Sequence, residues 1–489
     1  MTHPEIHAMP ERPAEPSRRE VLAGSASLLA AVSGLPLFAT GAWAQGTQVG
    51  GTGGPPRPHI LYIMADDLGS ADVGFRGSDI KTPNLDALAA GGAALGHFYT
   101  QPMCTPTRAA LMTGRYPLRY GLQTAVIPSG GDYGLATDEF LLPQALKEVG
   151  YRTALVGKWH LGHADRKYWP CQRGFDRFYG PLLGEIDHFK HQAHGVTDWY
   201  RDNEMVVEDG YDTELLGAEA VRLIAEQDPK TPLFLYLAFT APHTPFQAPQ
   251  TYIDMYASID DPQRRTYAAM ITAMDDQIGK VVKALEARGL RENTLIVFHS
   301  DNGGTRNKKF VGEGDVSGDL PASNVPLRDG KGTLYEGGTR VVALANWPGR
   351  ITPGTSPGVM HVVDMLPTLA GLAGAGLGHS KRLDGIDMWP TLAAGQAGRD
   401  EVVYNVEPSQ GAVREGDWKL VWKVDLPPKV ELFDLSTDPT ETSDIAEAHP
   451  DKVAALTARV LNLARAMAEP LQPATAHRLT LSAPPTTPR

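Results

Sequence analysis

Residues 263–304 read QRRTYAAMITAMDDQIGKVVKALEARGLRENTLIVFHSDNGG, and this stretch decides the fold class. The part up to Gly289 repeats apolar residues at helical spacing and stops at a glycine, the signature of a long amphipathic helix. The run TLIVFHS that follows is continuously apolar and rich in β-branched residues, as in a strand covered on both faces. It ends in Asp301-Asn302-Gly303-Gly304.

The same order recurs upstream. DEFLLPQALKEVG (138–150) reads as a helix and leads into YRTALVGKWHLG (151–162), and ELLGAEAVRLIAEQ (214–227) leads into PLFLYLAFTAPH (232–243). HILYIMADD (59–67) is a further apolar run, followed by TPNLDALAAGGA (82–93), a helix with a Thr-Pro start. Strands alternating with helices predict an α/β domain with a large, mostly parallel central sheet flanked by helices. In open parallel sheets ligands bind beyond the carboxyl ends of the strands. Four apolar runs here end in chemistry-bearing residues: Asp66-Asp67, Lys158 with His160, His243, and Asp301-Asn302. Parallel strands would gather all of them on one rim.

From about residue 400 the pattern changes. VVYNV (402–406), AVREGDWKLVWKV (412–424) and VELFDLS (430–436) read as short antiparallel strands, and PDKVAALTARVLNLARAMA (450–468) as a closing helix. The expected organisation is a catalytic domain over 58–395, a smaller C-terminal α+β subdomain over 396–468 and a flexible tail over 469–489. The polar stretch 303–330 is a long loop of the kind that forms lids.

The chain has 489 residues, with 45 Lys+Arg against 57 Asp+Glu. This acidic balance argues against nucleic acid or an anionic membrane as a partner, so any anion site must be built from local cations. With only Cys104 and Cys171, the chain is no disulfide scaffold. Residues 1–44 read as an export signal: Arg18-Arg19 precedes a Gly/Ala/Ser/Leu run that ends at Ala42-Trp43-Ala44, an A-x-A-like cleavage site. The alternative is a membrane anchor, but the run is Gly/Ser-rich and cleavable, so no stable anchor is expected. Residues 45–57 form a Gly/Pro-rich linker. The expected location is periplasmic or secreted, from a bacterial cell, by the twin-arginine route.

Cys104 opens the segment CTPTRAALMTGRYPLRYGLQ, with Arg108 four residues on. A cysteine beside a positive charge is a candidate nucleophile. Asp66, Asp67, Asp301 and Asn302 are oxygen ligands of the kind hard cations such as Ca²⁺ require, and no Cys/His cluster of zinc spacing accompanies them. Each element alone has a plain structural reading. Cys104 could sit in a Pro-punctuated turn, the two acidic pairs could be turn residues, and His243 could be a satisfied core histidine. Lys158 could be a surface lysine and Lys331 a loop lysine. Glu185–His194 places three histidines at every third position, which suggests either a transition-metal site or a polar loop at a pocket rim; Lys308 and Lys309 are further rim candidates.

The segments ILYIMADDLG, CTPTRAALMTGRY, VGKWHLG, APHTPF, SDNGG, PLRDGKGTLYEGGTR and ELFDLSTDP span about 58–460. In order and spacing they resemble the type I, formylglycine-dependent sulfatases of the alkaline phosphatase superfamily, and within these the arylsulfatase B (N-acetylgalactosamine-4-sulfatase) branch. Thr107 stands where that family usually has Ser. The resemblance implies an alkaline-phosphatase-like fold and hydrolysis of aryl or carbohydrate sulfate monoesters, sulfated N-acetylgalactosamine among them. It also implies that Cys104 is converted to formylglycine by a maturation enzyme, and that the aldehyde hydrate is the nucleophile. By the same resemblance Asp66, Asp67, Asp301, Asn302 and the residue made from Cys104 hold Ca²⁺. Arg108 and Lys158 hold the hydrate, His160 assists its hydroxyl, and His243 and Lys331 bind sulfate and support the leaving oxygen. Two other functions fit the same residues: a phosphonate or phosphate monoester hydrolase, and a non-enzymatic sulfoglycan-binding protein with unmodified Cys104.

Overall fold

The computed structural model describes residues 57–312, 318–424 and 427–472. The expected export signal, nearly all of the linker and most of the tail lie outside the described residues.

Among the described residues, sixteen strands follow in chain order. They are β1 (His59–Ala65), β2 (Ala93–Tyr99), β3 (Arg152–Gly157), β4 (Arg177–Gly180), β5 (Gln192–Ala193), β6 (Val196–Thr197), β7 (Tyr200–Arg201) and β8 (Glu204–Met205). The remainder are β9 (Leu233–Ala238), β10 (Thr294–Ser300), β11 (Ala343–Asn346), β12 (Gly354–His361), β13 (Glu401–Glu407), β14 (Gln410–Glu415), β15 (Trp418–Lys423) and β16 (Lys429–Asp434). Ten of them form one sheet in the order β12-β2-β11-β10-β1-β9-β3-β4-β7-β8. The block β10-β1-β9-β3-β4 is parallel throughout. The β11 strand runs against both β10 and β2, and β7 runs against both β4 and β8.

Strand β1 shows why the sequence folds this way. All seven of its residues are buried. Because side chains alternate between faces, Ile60, Tyr62 and Met64 enter one core, and Leu61, Ile63 and Ala65 the other. The helices Pro83–Ala90, Asp212–Ala225 and Pro262–Ala287 cover the second face. The helices Cys104–Thr113, Leu142–Glu148 and Met365–Ala373 cover the first. Pro262 occupies the first turn of the longest helix, and Asp261 caps it by accepting from the Gln263 N–H.

A second sheet, β13-β14-β15-β16, is antiparallel, and the helix Pro450–Arg465 packs on it through Leu456, Val460 and Leu463. Val403, Val413 and Leu420 of this sheet belong to the same continuous core as the main sheet's first face. Lys419 reaches out of β15, fully buried, to Glu336 at 3.0 Å and Glu441 at 2.7 Å. Glu336 also accepts from the hydroxyls of Tyr99 and Tyr404.

Two expectations change in detail. The helix expected over 138–150 begins only at Leu142, with Pro143 in its first turn. The strand expected over 412–424 is two strands, β14 and β15, turning at Gly416 with φ of 58°. The segment 343–361, for which the sequence pattern gives no element, supplies the reversed strand β11 and the edge strand β12.

Candidate active site

Strands β10, β1, β9 and β3 are adjacent and parallel, so their carboxyl ends share one rim. Asp66-Asp67 follows β1, Lys158 follows β3, Asp301-Asn302 follows β10, and His243 lies five residues past β9. Backbone bonds across the rim fix these exits: Asp66 N–H to Ala241 O at 3.0 Å, Asp301 N–H to Ala65 O at 3.0 Å, and Lys158 N–H to Ala238 O at 2.8 Å. Asp67 takes a left-handed backbone (φ 64°), a conformation Asp tolerates better than most residues. Its N–H donates to Asp301 Oδ1 at 3.2 Å.

Cys104 enters from the first face as the opening residue of the helix Cys104–Thr113. Its sulfur lies 3.4 Å from Asp66 Oδ1 and 4.0 Å from Asp67 Oδ1. Arg108 is one turn further, on the same helix face. It pairs with Asp301 Oδ2 at 2.8 Å and lies 3.6 Å from Asp66. The Thr107 hydroxyl both accepts from Gln101 N–H and donates to Gln101 O, each at 3.0 Å. The hydroxyl expected of a serine is therefore present, and it fastens the approach to Cys104.

Three carboxylates and three cations are interleaved here, all buried. Lys158 pairs with Asp66 at 2.6 Å, Lys331 with Asp67 at 2.7 Å, and Arg108 with Asp301. Burial would raise the Asp67 pKa, but Lys331 and His243 override it and hold the carboxyl far below its ordinary range. Asn302 Nδ2 and the Thr305 hydroxyl, each 2.8 Å away, add donors to Asp67. Asp301 shifts the other way, raised by burial and then by the charge of Asp66. Burial and the nearby carboxylates push the Cys104 thiol well above its ordinary value, so as a thiol it is a weak nucleophile.

The two histidines are fixed as different tautomers. His160 Nε2 faces Ile127 O at 3.1 Å and must donate to it, which leaves Nδ1 a bare acceptor with no protein partner. Burial, then Lys158 and Arg108, lower its pKa far below the usual histidine value, so the ring is neutral. His243 donates from Nδ1 to Thr244 O at 2.7 Å and accepts at Nε2 from Lys331, 3.2 Å away. Burial and Lys331 hold its pKa at about 4. Gly184 lies against the His160 ring: a Cβ there would stand 2.1 Å from Cε1.

Every residue expected at the site is thus within one cluster. Cys104, His160, His243 and Lys331 line a cavity of about 290 Å³, together with Glu185, His194 and Lys309. Among the described residues, one group has the spacing of a metal site: Asp66, Asp67, Cys104 and His243, with candidate atoms within 4.8 Å of one another. Asp301 and Asn302 adjoin it through Asp67. The buried Asn302 Oδ1 has no partner. Within this neighbourhood the carboxylates of Asp66, Asp67 and Asp301 with the orphaned Asn302 Oδ1 form an oxygen set that fits a hard divalent cation.

The three histidines of 185–194 do not converge. His188 pairs with Asp212 at 2.9 Å and donates to His243 O at 3.1 Å, His191 stacks on Trp199, and His194 lies 3.3 Å from Glu185. Sequence reasoning did not single out Thr305, Asp212 or Gly184. Thr305 alone carried a signal, three residues beyond Asn302.

Residues 58–375 match the sulfatase family model. Mouse arylsulfatase J is 40% identical over 378 residues, covering 75% of this chain and 61% of that protein. The chain therefore spans less than two thirds of that relative's length. Human N-acetylgalactosamine-6-sulfatase is 34% identical over 370 residues, covering 71% of this chain and 68% of that one. The crystal structure of Ps i-CgsB in complex with k-i-k-neocarrahexaose is 34% identical with a TM-score of 0.77, covering 86% of this chain and 96% of that one.

Proposed function

This chain belongs to the sulfatase family, within the alkaline phosphatase superfamily, and on that premise we propose that it is a sulfuric ester hydrolase acting on carbohydrate or aryl sulfate monoesters. The observation that carries the reading is the placement of Cys104. It is buried in the wall of a cavity, against Asp66 and Asp67, and Arg108, Lys158 and Lys331 pair with the carboxylates around it. Such a site holds a small anion beside one reacting atom.

Formylglycine made from Cys104 would supply a hydrated aldehyde as nucleophile, and Ca²⁺ held by Asp66, Asp67, Asp301 and Asn302 would supply Lewis-acid stabilisation of sulfate charge. The remaining chemistry belongs to side chains whose positions are known. Lys331 and Arg108 keep their protons, since their carboxylate partners outweigh the effect of burial. Lys331 lines the cavity and presents fixed positive charge where a sulfate monoester gathers negative charge on its leaving oxygen, while Arg108, against Asp66 and Asp301 on the helix that opens with Cys104, holds the hydrate. His160 Nδ1 is an unprotonated acceptor at the cavity wall and serves to take a proton from the attacking hydroxyl. His243 Nε2 holds the Lys331 ammonium on the cavity side. Burial of these groups strengthens each interaction relative to water.

The substrate range includes sulfated N-acetylgalactosamine, in keeping with the 34% identity to the human N-acetylgalactosamine-6-sulfatase. We read residues 1–44 as a twin-arginine export signal that delivers the folded protein to the periplasm or beyond, after a formylglycine-generating enzyme has acted on Cys104. No helix among the described residues is long and apolar enough to cross a membrane.

The test combines mass spectrometry of the peptide carrying Cys104 with kcat/KM on matched aryl sulfate and aryl phosphonate esters. Formylglycine at position 104 and a preference for sulfate are expected. Unmodified cysteine in active protein from the native host would overturn the nucleophile assignment, and a phosphonate preference would overturn the substrate class.

A further inference from the structure

A second cavity, of about 570 Å³, opens beside the first and shares Met103, Lys309 and Phe310 with it. Its far wall comes from the small antiparallel sheet: Glu407, Ser409 and Gln410 at the turn joining β13 to β14, and Lys423 at the end of β15. We propose that this cavity is a binding subsite for the sugars adjoining the sulfated residue, and that the protein's substrate is an anionic sulfated oligosaccharide and not an isolated sulfated sugar. The proposal rests on the sulfatase reading and narrows its substrate.

Three observations carry it. First, the two cavities share a wall. Gly332 follows Lys331 directly, and Phe310 lies on it so closely that a Cβ would stand 2.3 Å from the ring. Phe310 therefore lines both cavities beside Lys331, placed to pack on a sugar that spans them. An aromatic face is the surface on which the C–H face of a pyranose packs.

Second, the outer lining is polar in the manner sugar hydroxyls require. Ser409 donates to Glu407 Oε1 at 2.8 Å, so the carboxyl is held in place, while burial raises its pKa. The hydroxyl and the Gln410 amide supply adaptable donors and acceptors. A small aryl leaving group would not reach these groups, so only a longer ligand gains binding energy from them.

Third, two lysines face this space. Lys423 Nζ donates to the Tyr335 hydroxyl at 3.0 Å and lies over that ring at 4.3 Å, and Lys309 lies over the Phe310 ring at 5.6 Å. In a chain whose net charge is −12, two lysines at one cavity favour an anionic ligand. The volume falls within the usual range for small-ligand sites, about 300–1,000 Å³.

The experiment compares full-length, mature wild type with Gln410→Ala and the cavity-filling Ser409→Tyr. The substrates are a chromogenic aryl sulfate and size-matched pairs of sulfated monosaccharides and the oligosaccharides carrying them, from galactosamine, galactose and fucose polymers. Wild type should favour at least one oligosaccharide over its monosaccharide by about tenfold or more in kcat/KM. Both variants should lose most of that advantage through KM, with aryl sulfate turnover unchanged within about twofold. If aryl sulfate is turned over but no oligosaccharide outperforms its monosaccharide, the subsite is refuted and the sulfatase reading stands. Retention of the advantage in both variants, or an equal loss on the aryl ester, refutes the subsite as well. No sulfate release from any substrate by mature wild type sinks the sulfatase reading and the subsite with it.

Discussion

Asp212→Asn tests whether a buried ion pair holds His243 in its working position. Asp212 Oδ2 accepts from His188 Nδ1 at 2.9 Å and from the Thr240 hydroxyl at 2.5 Å, and His188 Nε2 meets His243 O at 3.1 Å. A carboxylate and a carbonyl only accept, so His188 satisfies both as imidazolium. Burial alone would lower its pKa, but Asp212 reverses the shift and raises it. Asp212 is in turn held low by His188 against its own burial. The asparagine variant keeps the shape and removes the charge. His188 then becomes neutral and can keep only one of its two donor contacts.

A lost hydrogen bond to a charged group is worth about 1.5–3 kcal/mol. If it acts on the transition state through His243, kcat falls by about 10- to 150-fold at 1.36 kcal/mol per tenfold. The pH dependence has a definite sign. The raised His188 pKa gives a contribution that is complete below the ordinary histidine value of about 6.5 and is lost as pH rises through the folded-state pKa. The lowered Asp212 pKa gives one present above about 4 and lost as pH falls through its folded-state value. Between these limits the pair is intact. The assay is kcat and KM on a chromogenic aryl sulfate from about pH 5 to about pH 9, with thermal melts alongside. The alkaline limb of kcat should move to lower pH in Asp212→Asn, and Asp212→Glu should restore part of it. A wild-type kcat profile in the asparagine variant, or a loss that only tracks the unfolded fraction, would refute the positioning role.

Three further outcomes are expected. Cys104→Ser should lower kcat by on the order of 10⁴-fold or more, while circular dichroism and melting temperature stay near wild type. Chelation with EGTA should lower the melting temperature, and Ca²⁺ at a hundredfold its Kd should return about 2.7 kcal/mol; an Asn302→Ala variant should gain less. Lys419→Met should destabilise the protein by about 3–5 kcal/mol, read by denaturant titration, because it leaves Glu336 and Glu441 facing each other in the core.

The parallel core of the sheet and the four polar strand ends that meet at the rim were legible because each rests on local sequence. Continuous apolar runs mark doubly covered strands, and a polar pair directly after such a run marks a rim. Strand order was not legible, since β11 pairs with β10 and β2 through contacts the pattern of either segment does not encode. Lys331 illustrates the same limit within the site. Its own segment looks like a solvated loop, and only the fold brings it to Asp67; the family resemblance supplied its place. Asp212 and His188 are 24 residues apart, and each reads as an ordinary polar residue until the helix Asp212–Ala225 sets them face to face. The histidine spacing in 185–194 left a shared metal and a polar loop both open, and the structure shows the loop, with each ring turned toward a different neighbour.

The bridge from Lys419 to Glu336 and Glu441 bears on how this architecture can be inherited. Glu336 opens the short turn Glu336–Thr339, and Gly303, next to Asn302, donates its N–H to Gly338 O at 3.0 Å. A side chain of the small sheet is therefore two contacts away from a residue of the reactive rim. Recombination between relatives that exchanged the two sheets at a crossover near residue 395 would have to carry Lys419 and Glu441 together, matched to the recipient's Glu336. A chimera that broke this triple would strand a buried charge beside the rim. The two sheets look like separable modules, but they are bound to a common lineage.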